Sequence, residues 1–406
     1  MAMAMAEFRV RTVTCFARLE DARGLPRLPE EAWERVIGEA GQVLDKAKLL
    51  LEGIGYEVQT IRLATQNMME FLDLSSVTSA IAAAKRIEAI ALRHGITFVS
   101  LGGVDGGVLH ENAEAACCVE EILLNTNLFC NVHIDKCEGL QGQCSAAAAL
   151  IRRVSAACES EATSPCFKFT VCSRCPGSIP YFPAAYWNGK QGLALAIGCE
   201  NSGLLWQSIK AGGDGLNLED VPELVRVAFE EKVSPLVRVG DDLAEEFSAL
   251  AFLGVDASVA PGLDHKSIVE AFELIVGPGN FGGPGTLAVA SMITKGLKAV
   301  RRGCGYSGLM LPVCEDEGLA KAYSNEKVTL SDFLSYSSVC GVGLDTVPIS
   351  GDATKEKIAG ILMDVVSLAI KWDKPLSCRL LPCPGKGKGD KTDFKSPYLV
   401  DCIIQD

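Results

Sequence analysis

Three remote stretches of the 406-residue chain combine residue types that do chemistry. The first, Gly277-Pro278-Gly279-Asn280-Phe281-Gly282-Gly283-Pro284-Gly285, runs directly into a helical segment starting at Thr286. Glycines ahead of a helix leave backbone N–H groups exposed beside the positive end of the helix dipole, and that geometry binds anions. Gly282, Gly283, Gly285 and Thr286 are therefore candidate contacts to a phosphate or carboxylate. No Gly-Lys-Ser/Thr follows, so the stretch is not a P-loop, and the dinucleotide fingerprint would follow a strand rather than a helix. A plain flexible connector is the alternative reading.

The second stretch is Pro312-Val313-Cys314-Glu315-Asp316-Glu317-Gly318. Crowded carboxylates raise one another's pKa unless a cation intervenes. Asp316 and Glu317 are candidates to handle a proton, and Glu315 with Asp316 to hold a divalent cation such as Mg²⁺. Acids also favour a first helical turn for its dipole, and one of these could simply cap it.

The third is Ser338-Val339-Cys340-Gly341-Val342-Gly343-Leu344-Asp345. Small neighbours let a ligand approach a thiol, which makes Cys340 the candidate nucleophile or proton donor; a buried, inert Cys is the alternative. Asp345 could hydrogen-bond a ligand from the next turn. Asp256 and Ser258 end an expected strand, where α/β folds display ligand-binding groups. The four histidines form no HExxH motif, leaving His110-Glu111 and Asp264-His265 as candidates for distant partnership. Cys172-Ser173-Arg174-Cys175 is a lone CxxC, too little for structural zinc.

An alternation of strands and helices must position these groups. Strand chemistry at Phe8–Phe16, Tyr56–Ala64, Ile96–Leu101, Leu128–Ile134, Phe167–Cys172 and Leu193–Ile197 alternates with 3.6-residue apolar periods. Those periods cover Ala32–Gly53, Val77–Arg93, Glu111–Leu124 and Ser145–Glu159. Later helices are expected at Asp220–Lys232, Asp241–Gly254, Lys266–Val276, Thr286–Arg301, Leu330–Ser335 and Thr354–Lys371. Strands are expected at Val255–Val259, Leu309–Val313 and Arg379–Leu381. This βα rhythm without a long linker predicts one large α/β, barrel-like unit over residues 1–383. Residues 384–406 read as a mobile Gly/Lys-rich loop and a short tail.

With 48% hydrophobic and 22% charged residues, the chain buries enough apolar surface to fold. Its net charge of −13 repels polyanions, which argues against nucleic acid and anionic membranes as partners. No stretch approaches the roughly 18 to 20 apolar residues of a bilayer span, and no leader pattern opens the chain, so a soluble, unexported protein is expected. Its 17 scattered cysteines point to a reducing, cytoplasmic setting rather than a disulfide scaffold.

Gly305-Tyr306-Ser307-Gly308 through Glu315-Asp316-Glu317-Gly318, then Cys340-Gly341-Val342-Gly343-Leu344-Asp345 and Arg379-Leu380-Leu381-Pro382, resemble the C-terminal half of the uncharacterised protein family 210, or domain of unknown function 711. Weaker matches at Val10-Arg11-Thr12-Val13-Thr14, Asp256–Pro261 and Gly282–Thr286 extend the resemblance over most of the chain. The resemblance implies a fold similar to that of pyruvate formate-lyase-like glycyl radical enzymes, a barrel of about ten strands around a loop with an active cysteine. Cys340 falls on the family's Cys-x-Val-Gly-Leu-Asp pattern. No Arg-Val-x-Gly-aromatic segment closes this chain, so a radical mechanism is not expected, and fold alone does not transfer chemistry.

The expected function is an enzyme of lyase, isomerase or transferase type acting on a small anionic metabolite. The alternative is a non-catalytic small-molecule sensor or assembly subunit using the same pocket. Homodimerisation is the expectation from the frequency of two-fold assemblies.

Overall fold

The computed structural model describes residues 7–158, 165–190, 192–213 and 215–405. Its first half runs β1 (Arg9–Ala17), α1 (Glu30–Gly53), β2 (Val58–Thr65), α2 (Val77–Arg93), β3 (Phe98–Asp105), α3 (Gly106–Glu111), α4 (Ala113–Asn125), β4 (Phe129–His133), α5 (Leu140–Ala156) and β5 (Phe169–Ser173). The second half adds β6 (Leu193–Glu200), α6 (Ser202–Ala211), α7 (Val221–Glu246), β7 (Leu250–Asp256), α8 (Ile268–Val276) and α9 (Thr286–Lys298). It ends with α10 (Glu317–Ser324), α11 (Leu330–Ser337), β8 (Gly343–Ser350), α12 (Lys355–Trp372) and β9 (Leu376–Cys383). The helices arise where the apolar period is 3.6: in α1, Trp33, Ile37, Ala40, Leu44, Ala47 and Leu51 fall on one buried stripe.

One nine-stranded sheet, in the order β7-β6-β1-β2-β3-β4-β5-β9-β8, organises the molecule. β1 to β5 are mutually parallel, and β6 and β9 flank them antiparallel. Side-chain alternation sorts two cores. Val13, Cys15 and Ala17 of β1 join the large cluster beneath the helices, whereas Phe16 joins a smaller one with Ala64, Phe129, Ala194 and Ala196 on the other face. Across that second face lies the segment 174–190. Thr14 Oγ1 donates to its Pro180 carbonyl (2.8 Å), Asn131 Nδ2 to Pro183 (2.8 Å) and Ser100 Oγ to Ala185 (2.8 Å).

The expected α/β unit is present, but its sheet is not closed into a barrel by a continuous ladder. Isolated bridges from Gly303 to Val255, Leu309 to Val259 and Pro312 to Asp345 tie a segment between the two sheet edges. Gly303, Gly305, Gly308 and Pro312 interrupt regular pairing there, so the strand expected at Leu309–Val313 is irregular. The strand expected at Leu193–Ile197 extends to Glu200. The helix expected over Asp241–Gly254 gives way to β7 at Leu250. α7 instead runs unbroken through Pro235, because Phe229, Val233, Leu236 and Leu243 are buried on one side of it.

Beyond the Gly/Lys-rich loop, the C-terminal tail packs back onto the body. Phe394, Cys402 and Ile404 are buried, and Gln405 Nε2 donates to the carbonyls of Tyr323 and Val328. Its few apolar residues find a site that local composition does not reveal. Among the described residues, no helix is long and apolar enough to cross a membrane.

Candidate functional site

A cavity of about 550 Å³ opens on the helix-free face of the sheet. Strands reach it with Arg11 (β1), Arg62 (β2), Glu200 (β6), Asp345 (β8) and Arg379 (β9), and Tyr181 to Ala184 of the crossing segment form another wall. A bulge in β1 explains how arginines come to face it. The pairing with β6 slips between Val10 and Thr12, so the alternation set by Thr12, Thr14 and Phe16 breaks, and Arg9 and Arg11 reach the cavity as well.

The carboxylates of the cavity are already paired. Arg9 bonds Glu200 and Asp264 and lies 3.8 Å from Glu57. Glu315 is held between Arg11 Nη2 (2.5 Å) and Arg379 Nη2 (2.5 Å). Arg379 also grips Asp345 with Nε (2.6 Å) and Nη2 (3.0 Å). Burial opposes every charge here, yet two guanidiniums hold the Glu315 carboxyl below its usual range. Asp345 has one guanidinium and a neighbouring carboxylate, so burial pushes its carboxyl up.

Arg62 is the exception. It is 8% exposed, donates Nε to Thr60 Oγ1 (2.9 Å), and forms no ion pair with any described residue. Phe98 and Phe182 flank the guanidinium, with centroids 5.0 and 5.2 Å away. Burial first, then Arg11, lowers its pKa from the usual arginine range to about 9. Near neutral pH it is a desolvated cation with no carboxylate partner among the described residues.

A family description, Uncharacterised ACR (DUF711), matches residues 2–395. The chain belongs to this family. It is similar to the UPF0210 protein of Pyrobaculum arsenaticum, 30% identical over 87% of this chain and 79% of that protein. It is also similar to the UPF0210 proteins of Pyrobaculum islandicum (29%, over 85% and 78%) and Syntrophobacter fumaroxidans (26%, over 95% and 88%).

This DUF711 member gathers only part of the set singled out from sequence. Glu315 and Asp345 line the cavity; Gly282, Gly283, Gly285, Thr286, Asp316, Glu317 and Cys340 do not. The Gly282 N–H is taken by the Thr286 hydroxyl (3.1 Å), closing the turn on itself. Asp316 caps α10 through Leu319 N–H (2.9 Å) and accepts from Ser267 Oγ (2.5 Å) and Ile268 N–H (2.8 Å). Glu315 and Asp316 thus serve separate partners. Glu317 lies in a shallow depression with Lys321.

Asp256, fully buried, holds a cavity wall in place. It accepts from the N–H groups of Tyr306 (2.8 Å) and Ser307 (2.9 Å) and from Ser258 Oγ (2.5 Å), while Ser258 Oγ accepts from Gly308 N–H (3.0 Å). These two residues shape the loop that presents Tyr306.

Cys340 is 1% exposed within the large core, and burial pushes its thiol up despite nearby Lys374. We expect native protein treated with iodoacetamide at about pH 8 to be labelled at exposed Cys117 and Cys137 and not at Cys340 until unfolded, as read by peptide mass spectrometry. Labelling of Cys340 in the native state would restore it as a reactive group.

Sequence reasoning missed Arg62 and Arg379 as site residues. The available signal was a charge inside an apolar strand: Thr60-Ile61-Arg62-Leu63-Ala64 and Ser377-Cys378-Arg379-Leu380-Leu381. Arginine is almost never fully buried unless it is paired, so such a position calls for a partner.

Proposed function

We propose that this protein is an enzyme acting on a small anionic metabolite, with Arg62 receiving the carboxylate or phosphate. The observation that carries the reading is the buried, unpaired Arg62 guanidinium in the cavity wall. No cysteine lines that cavity, so the reading moves from a thiol nucleophile to proton-transfer chemistry of lyase or isomerase type. Asp345, with its carboxyl pushed up by burial, is the proposed proton carrier, and Arg379 positions it. No disulfide joins any of the cysteines among the described residues, which supports a reducing, cytoplasmic setting. Homodimeric assembly stays part of the proposal on base rates.

A non-catalytic sensor is the second reading. It is favoured by the pairing of each cavity carboxylate with an arginine, which leaves few groups free for proton transfer.

A thermal-shift screen of small carboxylates and phosphates tests the binding. Stabilising anions are expected to lose roughly 10- to 100-fold in affinity in Arg62→Gln, as befits a desolvated charge-assisted contact. An anion that stabilises both proteins equally would remove Arg62 from the site. Turnover of a stabilising anion, lost in Asp345→Asn with binding retained, separates enzyme from sensor.

A further inference from the structure

At the cavity mouth, the loop after Pro261 brings Asp264 and His265 to Glu200 of β6. One oxygen from each carboxylate and one imidazole nitrogen all lie within 4.8 Å of one another. The His265 side chain is 1% exposed, yet neither ring nitrogen has a hydrogen-bond partner. A buried imidazole with both nitrogens orphaned forgoes hydrogen bonds that buried polar groups almost always make. Gly262 keeps the space open: a Cβ there would lie 2.1 Å from Glu200 Oε1 and 3.2 Å from His265 Cγ.

We propose that Glu200, Asp264 and His265 form a divalent transition-metal site at the cavity mouth, with the Arg9 guanidinium as the resident counter-charge that the cation displaces. One imidazole and two carboxylates suit Mn²⁺, Zn²⁺ or Fe²⁺ better than Mg²⁺, which prefers an all-oxygen shell. Arg9 now bonds Asp264 with Nη1 (2.9 Å) and Nη2 (2.7 Å) and also bonds Glu200, while its own Nε is buried without a partner. Asp264 is 65% exposed, so a cation enters from solvent, and Glu200 and Asp264 both face the cavity, where a bound metal meets the polar end of a ligand. The site stands independently of Arg62.

Mn²⁺ is the probe of choice, because exposed thiols such as Cys117 and Cys137 would take up Zn²⁺. Titration of the full-length protein, followed by loss of the free Mn²⁺ electron paramagnetic resonance signal, is expected to saturate at one ion per chain. Affinity should fall at least about 10-fold in His265→Gln and in Asp264→Asn, and rise several-fold in Arg9→Gln, where the competing charge is gone. Asp264 is surface-exposed, so Asp264→Asn keeps the test decisive if His265→Gln does not fold. The proposal is overturned by no saturable uptake, by unchanged affinity in Asp264→Asn and in whichever His265→Gln folds, or by an affinity in Arg9→Gln that does not rise.

Discussion

Replacing Arg62 with methionine is expected to make the ligand-free protein more stable at neutral pH, by about 1 to 4 kcal/mol, while abolishing its stabilisation by anions. The reason is the burial of a guanidinium that has no carboxylate partner among the described residues and is met only by the Thr60 hydroxyl and two aromatic rings. The pKa falls from its usual high value in the unfolded chain to about 9 when folded, so between those values the unfolded chain binds more protons. The destabilisation is full below about pH 9 and is relieved as pH rises above it. Urea melts of both proteins at neutral pH and near pH 10 check this, since the difference between them cancels other titrating groups. A methionine variant less stable than the parent would mean that Arg62 is a structural cation, and the anion site would lose its chief support.

The opposite sign is expected at Arg379. Its replacement by methionine should cost about 3 to 5 kcal/mol, because Asp345 loses its guanidinium and Glu315 keeps only Arg11. The acid limb should change with it. Glu315, held below its unfolded value of 4.5, contributes stability that is present above that pH and lost as pH falls through the folded value. Asp345 acts in the other sense: with its carboxyl raised above 3.8, it binds its proton more readily folded than unfolded. In Arg379→Met both carboxyls rise, so the loss seen at pH 7 should shrink near pH 4, and adding Asp345→Leu should recover part of it. A loss under about 1 kcal/mol at pH 7 would show the network contributes little.

Much of the architecture was legible as periodicity. The helix over Val77–Arg93 and the start of α9 at Thr286 fall where the apolar pattern and the preceding glycines put them. β8 was not legible, because Gly343, Asp345, Thr346, Pro348 and Ser350 read as turn chemistry. It forms through pairing with β9, where Gly343, at φ 100°, approaches Ser377 O so closely that a Cβ would sit 2.2 Å away. No local signal reports such a neighbour.

The candidate site divides along the same line. Glu315 was picked out as one of three crowded carboxylates and Asp345 as a polar residue in a glycine-rich turn, and both line the cavity. Asp316, adjacent to Glu315 and also a carboxylate, turns away to cap α10. Neighbours in sequence part because Asp316 takes the capping position while Glu315 is drawn between Arg11 and Arg379.

Composition and periodicity by themselves determined an α/β chain of alternating strands and helices, since burying a helix stripe or a strand face is a local demand that residue spacing records. Which charges meet was decided by tertiary structure alone. Arg62, Glu315 and Arg379 lie on separate strands and turns, and strand order, a one-residue bulge and the crossing segment determine which of them is left without a partner. Electrostatic pairing acts over a few ångströms of space, a distance that position along the chain does not encode.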